Sequence, residues 1–385
     1  MFFTKGAGKT ARGSFLYNRV YDALLTQIRE GRYAEGEKLP GEKELKREYA
    51  ISTITLNKAL SLLVEDGLVR RVPGRGTFVL ASGEIGTKAA AGMREPFIGL
   101  VLEHVSTPFG LDMLSHMNQE AERAGYRLLV RFSYGDQGKE SDAIEFLRAK
   151  GAAGILLMPC HGRQYSQTIL KLYLESFPLV LVDKKLSGIT LPSVRTDNRA
   201  AVAELVHALY TRGARRLALV SARDEDAVSA QERAQGFRDG MRRLSLPEPR
   251  WFWIPFARGP ESYTRKTPGE ETLDAACAFF REAKGSIDAV ISAEYGFVPS
   301  LTRAADAAGV RFGRDMMLAS IDGDEYSPCG VMFPYMKQDE AAIAKKAMEL
   351  LLARMNGEPV EKEDYLVPAL YRAAQPILSL KRGTL

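Results

Sequence analysis

Segment 39–60 constrains the fold of this chain more than any other part of the sequence. It predicts two short helices joined by a tight turn at Ala50 and Ile51, because apolar residues recur at helical spacing on either side of that turn. Ser52 is a suitable N-cap for the second helix, since its hydroxyl can accept a hydrogen bond from an unpaired amide of the first turn. Two helices in this order, with a polar face at the start of the second, are typical of a helix-turn-helix.

A β-hairpin with a basic tip is predicted directly after this helix pair. Gly67 can end the second helix in the left-handed conformation that glycine adopts readily. Residues 68–72 then alternate like a strand, and a turn at 73–76 leads into a second strand over 77–80. An ordinary helical hairpin beside a surface hairpin is the alternative, but the order, sizes and charges together favour a winged helix-turn-helix.

Segments 39–45, 52–60, 65–68 and 74–79 resemble the GntR-type winged helix of bacterial transcription regulators, and the similarity covers residues from roughly 15 to 80. This resemblance implies that the second helix and the wing bind double-stranded DNA. The residues implied in DNA contacts are Lys43, Ser52, Thr53, Thr55, Asn57, Lys58, Gly74 and Arg75. Many members of the family have arginine at the positions of Thr53 and Asn57, so the operator is expected to differ from the commonest ones.

Positive charge is concentrated in the same N-terminal region. Residues 1–80 contain 14 Lys and Arg against 9 Asp and Glu, whereas the remainder contains 39 of each, so the whole net charge of +5 lies in residues 1–80. A local excess of positive charge is expected of a domain that binds the phosphate backbone of DNA. The balanced remainder favours a neutral ligand or none.

Cysteine spacing and hydropathy argue against several classes of protein. The three cysteines, Cys160, Cys277 and Cys329, show no metal-ligand spacing and suit reduced thiols in a cytosol. The sequence has no run of about 18 apolar residues, which predicts no transmembrane helix, and its first residues lack the apolar core of a signal peptide. We therefore expect a cytoplasmic protein with no metal, no cofactor and no membrane partner.

The pattern of the chain changes at Pro96. Residues 1–14 are predicted to form a disordered tail, 15–80 the winged domain, and 81–95 a linker that lacks periodicity. Over 96–385, short apolar runs alternate with amphipathic helical segments, which predicts an α/β fold with parallel sheets covered on both faces. This region is too long for one plain sheet, so two lobes are expected.

Aromatic and planar polar residues follow several of the predicted strands. Ligands bind beyond the carboxyl ends of strands in open parallel sheets, and an aromatic ring beside carboxylates, amides and a guanidinium suits a polyhydroxylated ligand. The candidates are Phe109, Asp183, Lys184, Arg233, Glu294, Tyr295, Asp322 and Gln338. Arg233 lies at the start of a helix predicted over 231–244, where a cation opposes the helix dipole unless another group pairs with it.

Residues 96–375 resemble the LacI/GalR-type effector domain, which is akin to periplasmic sugar-binding proteins. The similarity is spread over short segments that include 99–102, 181–183, 193–198, 233–237 and 366–372. It implies two Rossmann-like lobes of the type I periplasmic-binding-protein fold, with crossovers near 194–198, 333–338 and 367–372. It also implies a ligand in the interlobe cleft that contacts Phe109, Asp183, Arg233, Asp322 and Gln338. Glu294 and Tyr295 stand where the family usually has Asn-Asp, so the ligand is expected to differ in chemistry from the commonest sugars.

Together, the two resemblances imply an architecture like that of arabinose-type repressors. We expect a homodimer that binds a near-palindromic operator and responds to a sugar-like effector, most simply as a repressor of carbohydrate-utilisation genes. An α/β enzyme and a solute-binding protein are the alternatives. The four scattered histidines supply no acid-base or nucleophile set, so no catalytic residues are expected. The lack of a signal-peptide pattern and the winged domain argue against a transported solute-binding protein.

Overall fold

The computed structural model describes residues 16–72, 75–80, 95–106, 108–160, 166–186, 188–222, 227–254, 270–325, 331–360 and 363–374. The chain divides into two compact units with the main boundary between Glu95 and Pro96, and the short segment Ala353–Pro359 is grouped with the first unit. The tail predicted at 1–14 and residues 81–94 of the predicted linker lie outside the described residues. Within the described ranges, no helix combines the length and apolarity that a membrane span requires.

Over its described residues, the first unit contains three helices followed by a two-stranded antiparallel hairpin. Its elements are α1 (Leu16–Arg29), α2 (Glu42–Tyr49), α3 (Thr53–Glu65), β1 (Val69–Val72) and β2 (Gly76–Val79). This order confirms the predicted winged helix-turn-helix.

Local sequence explains how the helix pair is turned. Ala50 adopts a left-handed conformation with φ of 52°, which ends α2, and the Ser52 hydroxyl accepts a hydrogen bond of 3.2 Å from the Thr55 amide, which caps α3. Leu56, Leu60 and Leu63 are fully buried on one side of α3, in a core shared with α1 and α2. The opposite side of α3, beginning at its N-terminus, is therefore left toward solvent.

In the part of the second unit that the structure describes, the strands form two six-stranded sheets. The strands of the first sheet are β3 (Phe97–Leu102), β4 (Arg127–Phe132), β5 (Ile155–Leu157), β6 (Leu179–Val182), β7 (Ser193–Thr196) and β13 (Asp364–Val367). They are arranged in the order β13-β7-β6-β5-β3-β4, and every pair of neighbours is parallel.

The second sheet repeats this plan with one exception. Its strands are β8 (Leu217–Ala222), β9 (Arg250–Ile254), β10 (Ala289–Ser292), β11 (Met317–Ile321), β12 (Tyr335–Lys337) and β14 (Leu370–Arg372). Their order is β14-β12-β11-β10-β8-β9, and only β12 and β14 pair antiparallel. The chain moves between the sheets after β7, after β12 and after β13, in agreement with the predicted crossovers.

Helices cover the sheets of this unit. They are α4 (Leu111–Arg123), α5 (Gln137–Ala149), α6 (Gln167–Leu174), α7 (Asn198–Thr211), α8 (Val228–Arg243), α9 (Glu270–Ala283), α10 (Val298–Ala307) and α11 (Glu340–Met355). In the second sheet, alternate residues of β8 and β10 pack into separate apolar cores, since Val220 and Val290 belong to one core and Leu219 and Ile291 to the other. Burial on both faces confirms the α/β prediction.

Two features of this unit differ from the sequence-based expectation. Strands β7, β12, β13 and β14 were not predicted as strands, because each is short and is interrupted by polar or charged residues and so lacks a continuous apolar run. Helix α8 begins at Val228 rather than at 231, and the buried Ala230 belongs to its first turn. Arg233 therefore lies in the second turn of α8, so the argument from the helix dipole at a helix start was wrong.

Candidate functional site

The exposed side of α3 carries most of the residues predicted for the first unit. Ser52 and Thr53 are exposed, and Thr55, Asn57 and Lys58 are half-buried. We call these five residues the polar face of α3. Lys43 on α2 and Arg75 between the wing strands are also exposed, whereas Gly74 lies outside the described residues. Their contacts with DNA stay predictions.

Two cations from other elements reach the polar face of α3. The Lys46 Nζ atom on α2 donates to the Thr53 Oγ1 atom at 2.6 Å, and an Arg71 Nη2 atom on β1 donates to the Asn57 Oδ1 atom at 2.6 Å. The same nitrogen forms an ion pair of 3.2 Å with the Glu42 carboxylate. Lys46 and Arg71 are not recognisable as part of this surface from the sequence, because only the folded unit brings them beside α3.

Asp322 and Gln338 form a buried pair at the carboxyl ends of β11 and β12. One carboxylate oxygen of Asp322 accepts a hydrogen bond from the Gln338 backbone amide at 3.1 Å, and the other accepts from the Gln338 side-chain amide at 2.7 Å. The Gln338 carbonyl oxygen accepts from the Thr196 hydroxyl at 2.7 Å. Burial raises the pKa of Asp322 to about 6, although the bonds from Gln338 and the charge of Arg233 oppose that rise.

Arg233 is held by neutral acceptors. Its Nε atom donates to the Asn198 Oδ1 atom at 2.8 Å, and an Nη1 atom donates to the backbone oxygen of Ala293 at 2.8 Å. Arg233 is 7% exposed. A buried guanidinium held in one orientation has the remaining N–H donors available for a bound oxygen-rich ligand.

Asp183 reaches the same region from the first sheet. It follows β6, is half-buried, and has a φ of 64°, a left-handed conformation that is uncommon outside glycine. Its negative charge contributes to the raised pKa of Asp322, which follows β11 of the second sheet. The structure thus brings Asp183, Arg233, Asp322 and Gln338 together. With Thr196 and Asn198, which sequence analysis did not select, we call them the interlobe cluster.

Lys184 is turned toward the first sheet. Its Nζ atom forms an ion pair of 2.5 Å with the buried Glu103 carboxylate, and it donates to the backbone oxygen of Pro159 at 3.2 Å. Glu103 follows the last residue of β3 directly. The positive charge of Lys184 is therefore already compensated within the protein.

Phe109 lies just before α4, and the N-terminus of α4 is capped by a residue far away in the sequence. The Glu340 carboxylate at the start of α11 accepts hydrogen bonds of 2.8 Å from the backbone amides of Gly110, the N-cap residue of α4, and of Met113 in its first turn. Burial raises the pKa of Glu340 to about 7, and the charges of Asp322 and Asp112 act in the same direction. Phe109 itself is half-buried.

Glu294 and Tyr295 follow β10, as predicted, and both are half-buried. The Tyr295 ring is stacked on Phe333 with a centroid distance of 6.4 Å, and it packs against an apolar core of the second lobe. Burial raises the pKa of Tyr295. A tyrosine ring that packs against the protein on one face can still contact a ligand with the rest of the ring or with its hydroxyl group.

A charged bridge links the two lobes beside the interlobe cluster. Arg195 on β7 binds the Asp364 carboxylate of its own sheet at 2.6 Å and the Glu232 carboxylate of α8 at 2.6 Å, and its side chain is 4% exposed. A cavity of about 830 Å³ opens next to Glu232, between Trp253 of β9 and Leu366 of β13. This bridge is not predictable from the sequence, because its three members are far apart along the chain.

Two regions of the chain match known families. Residues 16–79 match the family described as bacterial regulatory proteins, gntR family. Residues 95–264 match the periplasmic binding proteins and sugar binding domain of LacI family, and residues 206–373 match the periplasmic binding protein-like domain. The first match lies within the first compact unit, and the other two lie in the second unit except for residue 95 and the segment Ala353–Pro359.

Named relatives match this chain over alignments of different length. The arabinose metabolism transcriptional repressor of Geobacillus stearothermophilus is 23% identical over 274 residues, which cover 70% of this chain and 71% of that protein. The HTH-type transcriptional repressor NagR of Bacillus subtilis is 42% identical over 64 residues, which cover 17% of this chain and 26% of that protein. These relatives are regulators, which decides against the enzyme alternative.

A solved structure shares the fold of the second unit. The periplasmic binding protein/LacI transcriptional regulator of Alkaliphilus metalliredigens, complexed with D-xylulofuranose, superposes with a TM-score of 0.60 at 21% identity. The match covers 74% of this chain and 99% of that chain. At this identity the similarity establishes the two-sheet fold.

Proposed function

We propose that this chain, a transcription regulator that joins a GntR-type DNA-binding domain to a LacI-type effector domain, represses carbohydrate-utilisation genes in the cytoplasm and senses a sugar. The DNA-binding domain would span 15–80 and the effector domain 96–385. The arabinose repressor among its relatives supports a sugar as the class of effector.

The interlobe cluster is the observation that carries this proposal. Asp183 comes from the first lobe, Arg233 and Asp322 come from the second, and Gln338 lies where the chain crosses between them. Carboxylate, amide and guanidinium groups at one point can donate to and accept from the hydroxyls of one sugar ring. Because both lobes contribute, a bound sugar would stabilise one arrangement of the lobes over another.

Four further residues complete the proposed effector site. Phe109 and Tyr295 would contact an apolar face of the ring, and Glu294 would accept from a hydroxyl. Lys184 would contribute less charge than its sequence suggests, since Glu103 already binds it at 2.5 Å.

The proposed DNA complex is formed by a homodimer on a near-palindromic operator. The polar face of α3 would enter the major groove, Lys43 would bind a phosphate, and Gly74 and Arg75 would bring the wing tip to the minor groove. Two winged domains would occupy half-sites separated by one or more helical turns.

Effector and DNA would be coupled through the arrangement of the lobes. A ligand changes an equilibrium only if it binds one state more tightly than the other, and equal affinity changes nothing. Repression released by sugar requires that the sugar-bound state hold the two winged domains at a spacing that the operator disfavours.

Selection from a random 30-base-pair duplex library by the full-length protein tests the DNA-binding proposal. We expect enrichment of inverted half-sites. Thermal-shift screening with neutral pentoses, hexoses and disaccharides should then find a stabilising sugar, and that sugar should weaken binding to the selected duplex. Binding without sequence preference, or without response to any stabilising sugar, would contradict the proposal.

Lys43 and Arg75 provide a residue-level test of the DNA interface. Lys43→Ala and Arg75→Ala should each weaken binding to the selected duplex and reduce the slope of log K against log salt by about 0.9, because each removes one phosphate contact. Lys345→Ala, which removes an exposed lysine of α11, serves as the control for net charge. Salt slopes equal to that of the control would remove both residues from the interface.

A further inference from the structure

In the N-terminal half of α3, positions 53 and 57 of the polar face carry the neutral residues Thr and Asn. Thr53 and Asn57 are four residues apart and therefore lie on the same side of the helix. Lys58 is the only Lys or Arg between Thr53 and Glu65. Arg and Lys make the commonest specific contacts to guanine in the major groove, and they also bind phosphates.

The folded unit places a cation beside each of these positions. Lys46 binds Thr53 from α2 at 2.6 Å, and Arg71 binds Asn57 from wing strand β1 at 2.6 Å. Two different elements therefore deliver positive charge to the same side of one helix.

The hydrogen-bond partners of Arg71 fix the position of its guanidinium through one nitrogen only. Its bonds to Asn57 and Glu42 both use the Nη2 atom, so within the described residues the Nε and Nη1 donors carry no protein hydrogen bond. A guanidinium has five N–H donors, and its planar fork matches the guanine N7 and O6 acceptors as well as phosphate oxygens. The Asn57 carbonyl oxygen restricts the rotation of the Arg71 side chain at the α3 surface.

The ion pair between Arg71 and Glu42 contributes too little to stability to explain why Arg71 is held beside α3. The side chains of Arg71 and Glu42 are 38% and 55% exposed. Ion pairs exposed to this degree contribute between zero and about 1 kcal/mol to stability. In addition, a carboxylate beside the polar face repels phosphate, and Arg71 offsets that charge when no DNA is bound.

We propose that Arg71 and Lys46 are DNA-contacting residues, with Asn57 and Thr53 as the groups that position them. Arg71 leaves Glu42 and donates to an acceptor of the DNA while keeping its bond to Asn57, and Lys46 binds a backbone phosphate next to Thr53. This inference rests on the proposed role as a DNA-binding regulator.

The first test compares Arg71→Ala with Arg70→Ala in the full-length protein. Both variants remove one exposed arginine from β1, but neighbouring residues of a strand face opposite sides. On the duplex selected by the wild-type protein, Arg71→Ala should lose about tenfold to a hundredfold in affinity, measured by fluorescence anisotropy, and Lys46→Ala should lose severalfold. Arg70→Ala should remain close to wild type. Equal losses at positions 70 and 71 would overturn the inference.

Substituting Glu42 separates the DNA role from a structural one. Glu42→Gln removes a negative charge from the polar face, so it should tighten DNA binding severalfold while leaving the unfolding temperature nearly unchanged. A drop in unfolding temperature without tighter binding would show that the ion pair acts in stability alone, and would overturn the inference.

Arg71→Lys and a second selection distinguish the two possible acceptors on DNA. If Arg71 contacts a phosphate, Arg71→Lys should keep the wild-type salt slope and sequence preference. If it contacts a guanine, Arg71→Lys should lose preference at one operator position, because lysine lacks the planar fork. Both outcomes support a contact, whereas identical affinity, slope and preference in Arg71→Ala and wild type refute it. A wild-type protein that selects no duplex would instead refute the proposed function.

Discussion

The same arginine–asparagine hydrogen bond occurs in both regions of this protein, in opposite surroundings. On α3, Arg71 donates to Asn57 at 2.6 Å at the protein surface, with a carboxylate beside it. In the interlobe cluster, Arg233 donates to Asn198 at 2.8 Å while it is almost fully buried. The exposed pair is screened by water and salt, whereas the buried pair is screened much less.

This difference separates two kinds of recognition. At the surface, each contact contributes little alone, and binding depends on the sum of many charges and on salt. In the interlobe cluster, burial raises the cost of any unpaired polar group, so the loss of one partner affects the whole network. We therefore expect large effects from single substitutions in the cluster and smaller, salt-dependent effects on α3.

Arg233→Ala should have the largest effect. It removes a proposed effector contact and leaves the Asn198 and Ala293 oxygens without their donor. We expect the affinity for the sugar found by screening to fall by roughly a hundredfold, because hydrogen bonds to charged groups contribute about 1.5–3 kcal/mol. Isothermal titration calorimetry measures this loss.

The matched control for this substitution is Arg238→Ala. Arg238 is an exposed arginine on the same helix, five residues further on, and its guanidinium lies over the Trp251 ring. Both variants should keep wild-type affinity for the selected duplex in the absence of sugar. Wild-type sugar affinity in Arg233→Ala would contradict the expectation that single substitutions have larger effects in the interlobe cluster than on α3.

Glu340 gives a pH-dependent test of burial. Its pKa of about 7 in the folded protein lies above the ordinary value of 4.5, so the folded state binds more protons between these values. Its contribution to stability is therefore complete below pH 4.5 and is lost as the pH rises through about 7. Relative to Glu340→Gln, the wild type should lose roughly 2–3 kcal/mol of unfolding free energy between pH 5 and pH 8.

Denaturant unfolding at several pH values measures this difference. Glu349→Gln, at an exposed position of the same helix, is the control and should change the pH dependence little. A wild type and a Glu340→Gln variant with parallel pH profiles would show that the carboxylate retains an ordinary pKa despite its burial and its bonds to α4.

The two ion pairs of Arg195 allow a contact within one lobe to be compared with a contact between the lobes. Glu232→Gln and Asp364→Asn each weaken one ion pair to the same guanidinium, but only the bond to Glu232 crosses between lobes. Both variants should lower the unfolding temperature by a few degrees, whereas Glu232→Gln alone should change sugar affinity, by a severalfold factor, because it alters the population of the binding-competent state.

Thermal unfolding and calorimetry on the two variants separate these effects. Equal changes in sugar affinity would mean that the bridge acts through local stability, and that the relative positions of the lobes do not depend on Glu232.

The sequence by itself determined the winged helix and the α/β class of the second unit. The Ser52 cap, the left-handed turn and the buried stripe of α3 are local features, and local features are encoded by residues close together in the chain. Strands of four to six apolar residues between amphipathic helices could likewise be predicted from the sequence. The identities of Asp183, Arg233, Asp322 and Gln338 as candidates came from their positions after strands or at a helix and from family resemblance.

Only the tertiary structure decided which groups meet. Lys46 and Arg71 reach α3 from separate elements, Glu232 reaches Arg195 from the other lobe, and Glu340 caps a helix more than two hundred residues away. Such pairings follow from the packing of whole elements and leave no periodic pattern in the sequence. Burial is likewise a property of the assembled core, and it makes the Arg–Asn pair of the interlobe cluster differ physically from the one on α3.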